Sequence, residues 1–195
     1  MAVERHGNKT TRGESCLEYS LPLEVSSDST HYLVHPNGSS CQADSRFFEY
    51  YQDALAYAEE AQYRKEYIEA AEKSGQTPLE VAAIDFFRPP EILCINAEQY
   101  NGREGNLIYV TAFDTVKVER IGILVLSDQG RLLEMGHAGL VKGDVWCYRA
   151  KRTLQVASVL IIADAVDLPG HMVEKRITKI LKRGRNRSRK KFNAE

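Results

Sequence analysis

The spacing of apolar positions changes once along this chain, from a helical period to a period of two, and the change divides it. Asp44 or Ser45 can cap a helix that begins at Arg46, because a short side-chain oxygen accepts from the open amides of a first turn. From there Phe47, Tyr51, Ala54, Ala58, Ala61 and Ile68 recur at helical spacing, broken only at Lys65, so one long helix closed by Gly75 is expected. Thr77-Pro78-Leu79-Glu80 has the form of a capping box with proline at the first helical position, which predicts a second helix from Pro78 to about Phe87. Arg88-Pro89-Pro90 stops it, since a residue before proline avoids helical geometry. The expectation for 44–88 is a helical hairpin.

From Glu91 onward apolar residues alternate. Strands are expected at Ile92–Ile95, Leu107–Phe113, Val116–Leu126, Leu132–Ala138, Val145–Ala150 and Val156–Ala165, with a seventh around His171–Ile177. Asn101-Gly102, Gly105-Asn106, Ser127-Asp128-Gln129-Gly130, Gly139, Lys142-Gly143-Asp144 and Leu168-Pro169-Gly170 supply turns between them. Ile108, Val110 and Ala112 share one face, as do Trp146 and Tyr148 of a later strand. Between Val116 and Val125 the apolar phase moves from even to odd positions, which a bulge at Glu119-Arg120 would explain. Short strands joined by tight turns predict an antiparallel β-sandwich, so the fold class is α+β.

Residues 1–43 are polar and broken by Gly, Ser and Pro, apart from Tyr32-Leu33-Val34, and read as a flexible arm. Within it Cys16, His31, His35 and Cys41 follow a C-x14-H-x3-H-x5-C order. The ligand types suit zinc, but compact zinc sites keep paired cysteines two to four residues apart, so neither a metal nor another cofactor is expected. The four cysteines, Cys16, Cys41, Cys94 and Cys147, form no C-x-x-C pair and point to a reducing compartment. Cys94 and Cys147 fall in strands and are expected to be small buried residues. With no apolar leader at Met1-Ala-Val-Glu-Arg-His, the location expected is cytoplasmic.

Charge changes the picture at the far end. The 195 residues sum to −1, yet Lys175 to Glu195 hold ten bases and one acid, and the other 174 residues carry −10. Residues 176–195 therefore read as a basic, disordered tail. Lys182, Arg183, Arg185, Arg187, Arg189, Lys190 and Lys191 are its candidate contacts, to nucleic-acid phosphate or to an acidic partner. Phe192 is its only aromatic residue, so nucleic-acid contact would be sequence-tolerant and governed by counterion release. The same bases could instead fold onto the acidic body or serve solubility alone. Ile177, Ile180 and Leu181 make too narrow an apolar face for a membrane.

Five of the ten tyrosines lie on the long helix and cannot all face one way. Packing is the expected use of most, with Tyr50, Tyr57, Tyr63 and Tyr67 the candidates for protein interaction. Gly75-Gln-Thr-Pro-Leu resembles the turn of a helix-turn-helix, but Glu80 and Asp85 make the following helix acidic, which disfavours a DNA groove. The sequence has no G-x-S-x-G, phosphate-binding glycine loop, H-E-x-x-H or dinucleotide fingerprint. His137 or His171 as a base, with Ser127 and Asp128 as partners, is the only catalytic assembly the residues offer, and nothing in their spacing unites them. The chain is therefore expected not to be an enzyme.

The order Ile108-Tyr-Val-Thr-Ala-Phe-Asp114, Val118-Glu-Arg-Ile-Gly-Ile-Leu-Val125, Asp128-Gln-Gly130, Leu133-Glu134, Trp146-Cys-Tyr148 and Ala163-Asp-Ala-Val-Asp-Leu-Pro-Gly170 resembles bacterial immunoglobulin-like domains of the fibronectin or cadherin style. The likeness covers 91–175. Two features depart from it: Thr115 and Val116 follow Asp114 where such domains often place glycine, and Trp146 adjoins Cys147 rather than standing between two cysteines. The resemblance implies an immunoglobulin-like β-sandwich over 91–175 and a binding or spacing role. Some domains of this kind hold calcium with loop carboxylates, for which Asp114, Asp164 and Asp167 would be the candidates. No D-x-D-x-D loop concentrates them, and turn-capping is their expected use. The expected function is a non-enzymatic protein-interaction or adaptor module, with nucleic-acid binding through the tail as the alternative and an enzyme of unrecognised site as the third.

Overall fold

The computed structural model describes residues 24–25, 32–34, 40–42 and 45–181. The chain forms two compact units that meet in sequence between Arg88 and Pro89. In the first unit the described residues form three short strands, β1 (Glu24–Val25), β2 (Tyr32–Val34) and β3 (Ser40–Gln42), and three helices, α1 (Ser45–Ala61), α2 (Lys65–Ser74) and α3 (Pro78–Phe86). The strands make an antiparallel sheet with β2 at its centre, so Tyr32-Leu33-Val34, within the arm expected to be flexible, is paired on both sides.

The expected hairpin of two helices is instead a three-helix arrangement. The long helix breaks at Arg64, whose backbone is extended (φ −68°, ψ 138°) and leads into α2. A continuous helix would carry the buried stripe of Tyr51, Ala54, Ala58 and Ala61 on to Lys65, Ile68 and Glu72, two of them charged. The break slips the phase by one residue, so Tyr67 and Ala71 are buried and Ile68 is left exposed. Gly75 closes α2 at φ 74°, a left-handed cap open to glycine. The capping box at Thr77 is complete: Thr77 Oγ1 accepts from the Glu80 amide at 3.2 Å, and Glu80 Oε2 accepts from the Thr77 amide at 2.8 Å. α3 packs on both α1 and α2.

The second unit is a seven-stranded antiparallel sheet of β4 (Glu91–Asn96), β5 (Leu107–Phe113), β6 (Val118–Ser127), β7 (Leu132–Lys142), β8 (Val145–Arg149), β9 (Ser158–Asp167) and β10 (Met172–Ile180). Its order is β10-β9-β6-β7-β8-β5-β4. β7 joins the two halves, pairing with β6 up to Ala138 and with β8 from Gly139. The edge strands β10 and β4 come close to each other, so the sheet is nearly closed around one core. Ile108, Val110, Ala112, Ile121, Ile123, Val125, Trp146, Tyr148, Ile161 and Ala163 fill it. The register of β6 on β9 shifts between Val118 and Arg120, where the phase change placed a bulge.

β10 runs through Ile180, so residues 176–180, read as tail, belong to the sheet, paired with β9. Leu181 follows, buried against Gly102, where a Cβ would lie 2.6 Å from Leu181 Cδ1. Cys94 is exposed and Cys147 half-buried, both free thiols, because both point to the outer side of the sheet rather than into the core. Among the described residues no helix is long and apolar enough to cross a membrane.

Candidate functional site

The nearly closed sheet has two dissimilar ends. One is plugged by the β4–β5 loop and the segment after β8, which bind each other through their backbones: Gly105 N to Ala150 O and Ala150 N to Asn106 O, both 2.8 Å, and Leu154 N to Gly102 O, 2.7 Å. Asn106 Oδ1 fixes the loop further by accepting from the amides of Asn101 and Arg103. This plug carries Tyr100 inward to full burial. Nearby, Glu134 of β7 is 5% exposed, and its Oε1 accepts from the Tyr148 hydroxyl at 2.7 Å and from the Lys151 amide. The edge of the Tyr148 ring lies over Gly136, where a Cβ would be 2.8 Å from Tyr148 Cε2, so glycine at 136 is a packing requirement. Burial, reinforced by the Glu134 charge, pushes the Tyr100 phenol up to about 12, and burial, followed by the hydrogen bond to Glu134 and its charge, raises that of Tyr148.

At the other end β5 and β7 finish and β8 and β10 begin, and four large apolar side chains are exposed there: Phe113, Leu140, Val141 and Met172. Phe113 is 51% exposed and Val141 62%. The outer side of β5 and β8 leads to this rim through Tyr109, Thr111, Val145 and Cys147, all half-buried and uncharged, paired as Tyr109 with Cys147 and Thr111 with Val145. Nothing in the alternation signalled this face, because a strand's outer residues read as surface whether or not they carry charge.

The carboxylates at this end cap turns. Asp114 Oδ2 accepts from the amides of Val116 (3.2 Å) and Lys117 (2.9 Å). Buried Asp167 accepts from the amides of Gly170 (2.8 Å) and His171 (2.7 Å), and its Oδ2 lies 2.9 Å from His171 Nδ1. Asp164 differs, standing mid-strand on β9 and cross-paired with Gly122. Its carboxylate lies where a side chain at 122 would be, with Oδ1 2.3 Å from that Cβ position. No group of three or more metal-ligating side chains assembles among the described residues.

The remaining candidates separate. Ser127 Oγ accepts from Gln129 and Arg131 amides in the β6–β7 turn, while His137 pairs across the sheet with Gly122, five residues back along β6, and His171 lies beyond the far end of β9. Asp167 meets His171, but neither Ser127 nor Asp128 joins either histidine. Tyr67 is fully buried, donating to Asp85 Oδ2 at 2.8 Å, and the Tyr57 hydroxyl lies 2.7 Å from that of Tyr67, so packing withdraws Tyr67 from any surface role. Tyr50 donates to Phe86 O at 3.2 Å and packs on Phe86 and Phe87. Tyr63, beside the helix break, is 79% exposed. Lys182, Arg183, Arg185, Arg187, Arg189, Lys190 and Lys191, like Cys16, His31 and His35, lie outside the described residues.

No family model matches the chain, and no curated protein sequence matches it. Among solved structures it is similar to CopC from Methylosinus trichosporium OB3b, at 19% identity and a TM-score of 0.36, over 46% of this chain and 89% of that one. It is also similar to a tetra-tandem repeat in the extending region of a large adhesion protein, at 14% identity and a TM-score of 0.35, over 48% of this chain and 23% of that one. A lipoprotein from Bacteroides thetaiotaomicron matches 54% of this chain and 88% of its own at 9% identity, with a TM-score of 0.27. At these TM-scores none of the three assigns the chain to a family.

Proposed function

We propose that this chain is a non-enzymatic protein-interaction module, and that its sheet unit is an immunoglobulin-like sandwich. The strand order supports the second part. With β4 to β10 taken as seven successive strands A to G, the order is G-F-C-D-E-B-A, which holds the A-B-E-D and C-F-G runs of the immunoglobulin arrangement. The single observation that carries the first part is the exposure of Phe113, Leu140 and Val141 at the end of the sheet where the half-buried, uncharged Tyr109, Thr111, Val145 and Cys147 line the outer side of β5 and β8. Exposed apolar surface of this kind is costly to leave in water and marks contact surfaces. The partner is a protein presenting an apolar or aromatic surface, met in a reducing, cytoplasmic setting.

The test is affinity capture from lysate by the full chain and by Phe113→Glu and Val141→Glu variants, with and without nuclease. The reading requires one protein lost from both variants, insensitive to nuclease, while their melting temperatures stay at the wild-type value. Equal capture by all three proteins refutes it. A second reading, sequence-tolerant nucleic-acid binding, is favoured by the separation of charge along the sequence, and nuclease-sensitive capture retained by both variants would select it.

A further inference from the structure

We propose that one water molecule is held inside the plugged end of the sheet, accepting from the hydroxyl of Tyr100 and donating to Oε2 of Glu134. Both atoms are buried and neither has a hydrogen-bond partner in the protein. The Glu134 carboxylate is half-committed: Oε1 takes the Tyr148 hydroxyl and the Lys151 amide, leaving Oε2 as an acceptor. Tyr100 contributes the complementary group, a hydroxyl with a proton to give.

Neither residue can withdraw to solvent. Tyr100 is held by the loop that binds Ala150 and Leu154 through its backbone, and Glu134 is held by its two donors on β8 and just beyond it. A donor and an acceptor left unmet in a core each carry a desolvation penalty. Water removes both penalties at once, since it accepts from the phenol and donates to the carboxylate, and buried waters are found where two to four polar groups converge. The two groups belong to one end of the core: the Lys151 amide that binds Glu134 follows directly on Ala150, whose amide donates to Asn106, and Asn106 in turn accepts from Asn101, the neighbour of Tyr100.

Two variants of the full chain separate this site from its alternatives. Tyr100→Phe keeps the ring and removes the hydroxyl, whereas Glu134→Gln keeps a polar group facing the water. Magnetic relaxation dispersion of the water oxygen nucleus counts long-lived internal waters in solution. The amplitude is expected to fall by one water in Tyr100→Phe and to stay at the wild-type value in Glu134→Gln, with circular dichroism unchanged in both. A high-resolution crystal structure should place a water within hydrogen-bonding distance of both atoms. Equal amplitude in wild type and Tyr100→Phe overturns the proposal. So does a structure in which Tyr100 bonds Glu134 directly, or in which Lys151 Nζ takes Oε2.

Discussion

The ammonium of Lys175 closes the sheet where the backbone does not: Nζ donates to the carbonyls of Leu93 at 2.6 Å and Ile92 at 3.0 Å, joining β10 to the opposite edge strand. The β4–β5 register slips between Ile92 and Cys94, so the bulge turns these carbonyls away from the regular ladder. An edge strand with open carbonyls is a template for another chain, and a lysine laid across it blocks that approach. Lys175→Met keeps the stem and removes the donor. Hydrogen bonds from a charged group are worth about 1.5 to 3 kcal/mol, and the partial exposure of this pair puts the expected loss nearer about 1 kcal/mol. Urea denaturation should record a lowered midpoint, and Lys175→Arg should recover part of it.

Gly122 and Asp164 form a pair in which one residue occupies the other's space. A methyl at 122 would meet Oδ1 of Asp164 at 2.3 Å, so Gly122→Ala must displace the carboxylate or the strand. The expected cost is about 1 to 3 kcal/mol, the range for overpacking. In Gly122→Ala/Asp164→Ala most of that cost should disappear, leaving a coupling that a double-mutant cycle measures directly. A fully additive cycle would contradict the contact.

The sheet was legible in the sequence because one face of each strand is buried, and period two reports that directly. Ile108, Val110, Ala112, Trp146 and Tyr148 are all inside, and the phase change across Glu119-Arg120 coincides with a register shift. The helix break was half legible. Lys65 interrupted the stripe, but local spacing could not say that the stripe resumes one residue out of phase at Tyr67, because the partner that fixes the new phase, Asp85, is 18 residues away. The same holds for the inner polar cluster. Glu134 and Lys151 meet only through the β7–β8 hairpin, so Glu134 in a strand pattern reads as one more solvated acid.

The tyrosines give an alkaline limit to stability. Tyr100 titrates at about 12 when folded, above the ordinary phenol value of 10, because burial and the Glu134 charge disfavour the phenolate. Between those values the unfolded chain releases a proton that the folded chain retains, so stability falls as pH rises. The contribution is complete below about pH 10 and is lost as pH climbs through the folded value. Urea unfolding at a series of alkaline pH values should show this decline, and Tyr100→Phe should flatten it. A slope unchanged in that variant would assign the loss to other tyrosines.

For the basic tail, the fold decides where a truncation can fall. A cut at Glu174 would remove Lys175–Ile180 from β9, the Lys175 bridge and buried Leu181, so any effect would mix unfolding with lost charge. Ending the chain at Leu181 keeps the sheet and removes seven bases and one acid, leaving 19 bases against 26 acids and a net charge of −7. If the tail meets phosphates, the shortened chain should lose nucleic-acid binding while its melting temperature stays unchanged. The full chain should bind with log affinity linear in log salt, and engaging five tail charges gives a slope of about −3.5 to −4.5 at 0.7 to 0.9 per phosphate. If the tail instead lies on the acidic body, the full chain should not bind, and truncation should lower stability at low salt but not at high salt, where screening shortens the reach of exposed charges. Absence of binding together with equal stability at every salt concentration would leave the tail a role in solubility alone.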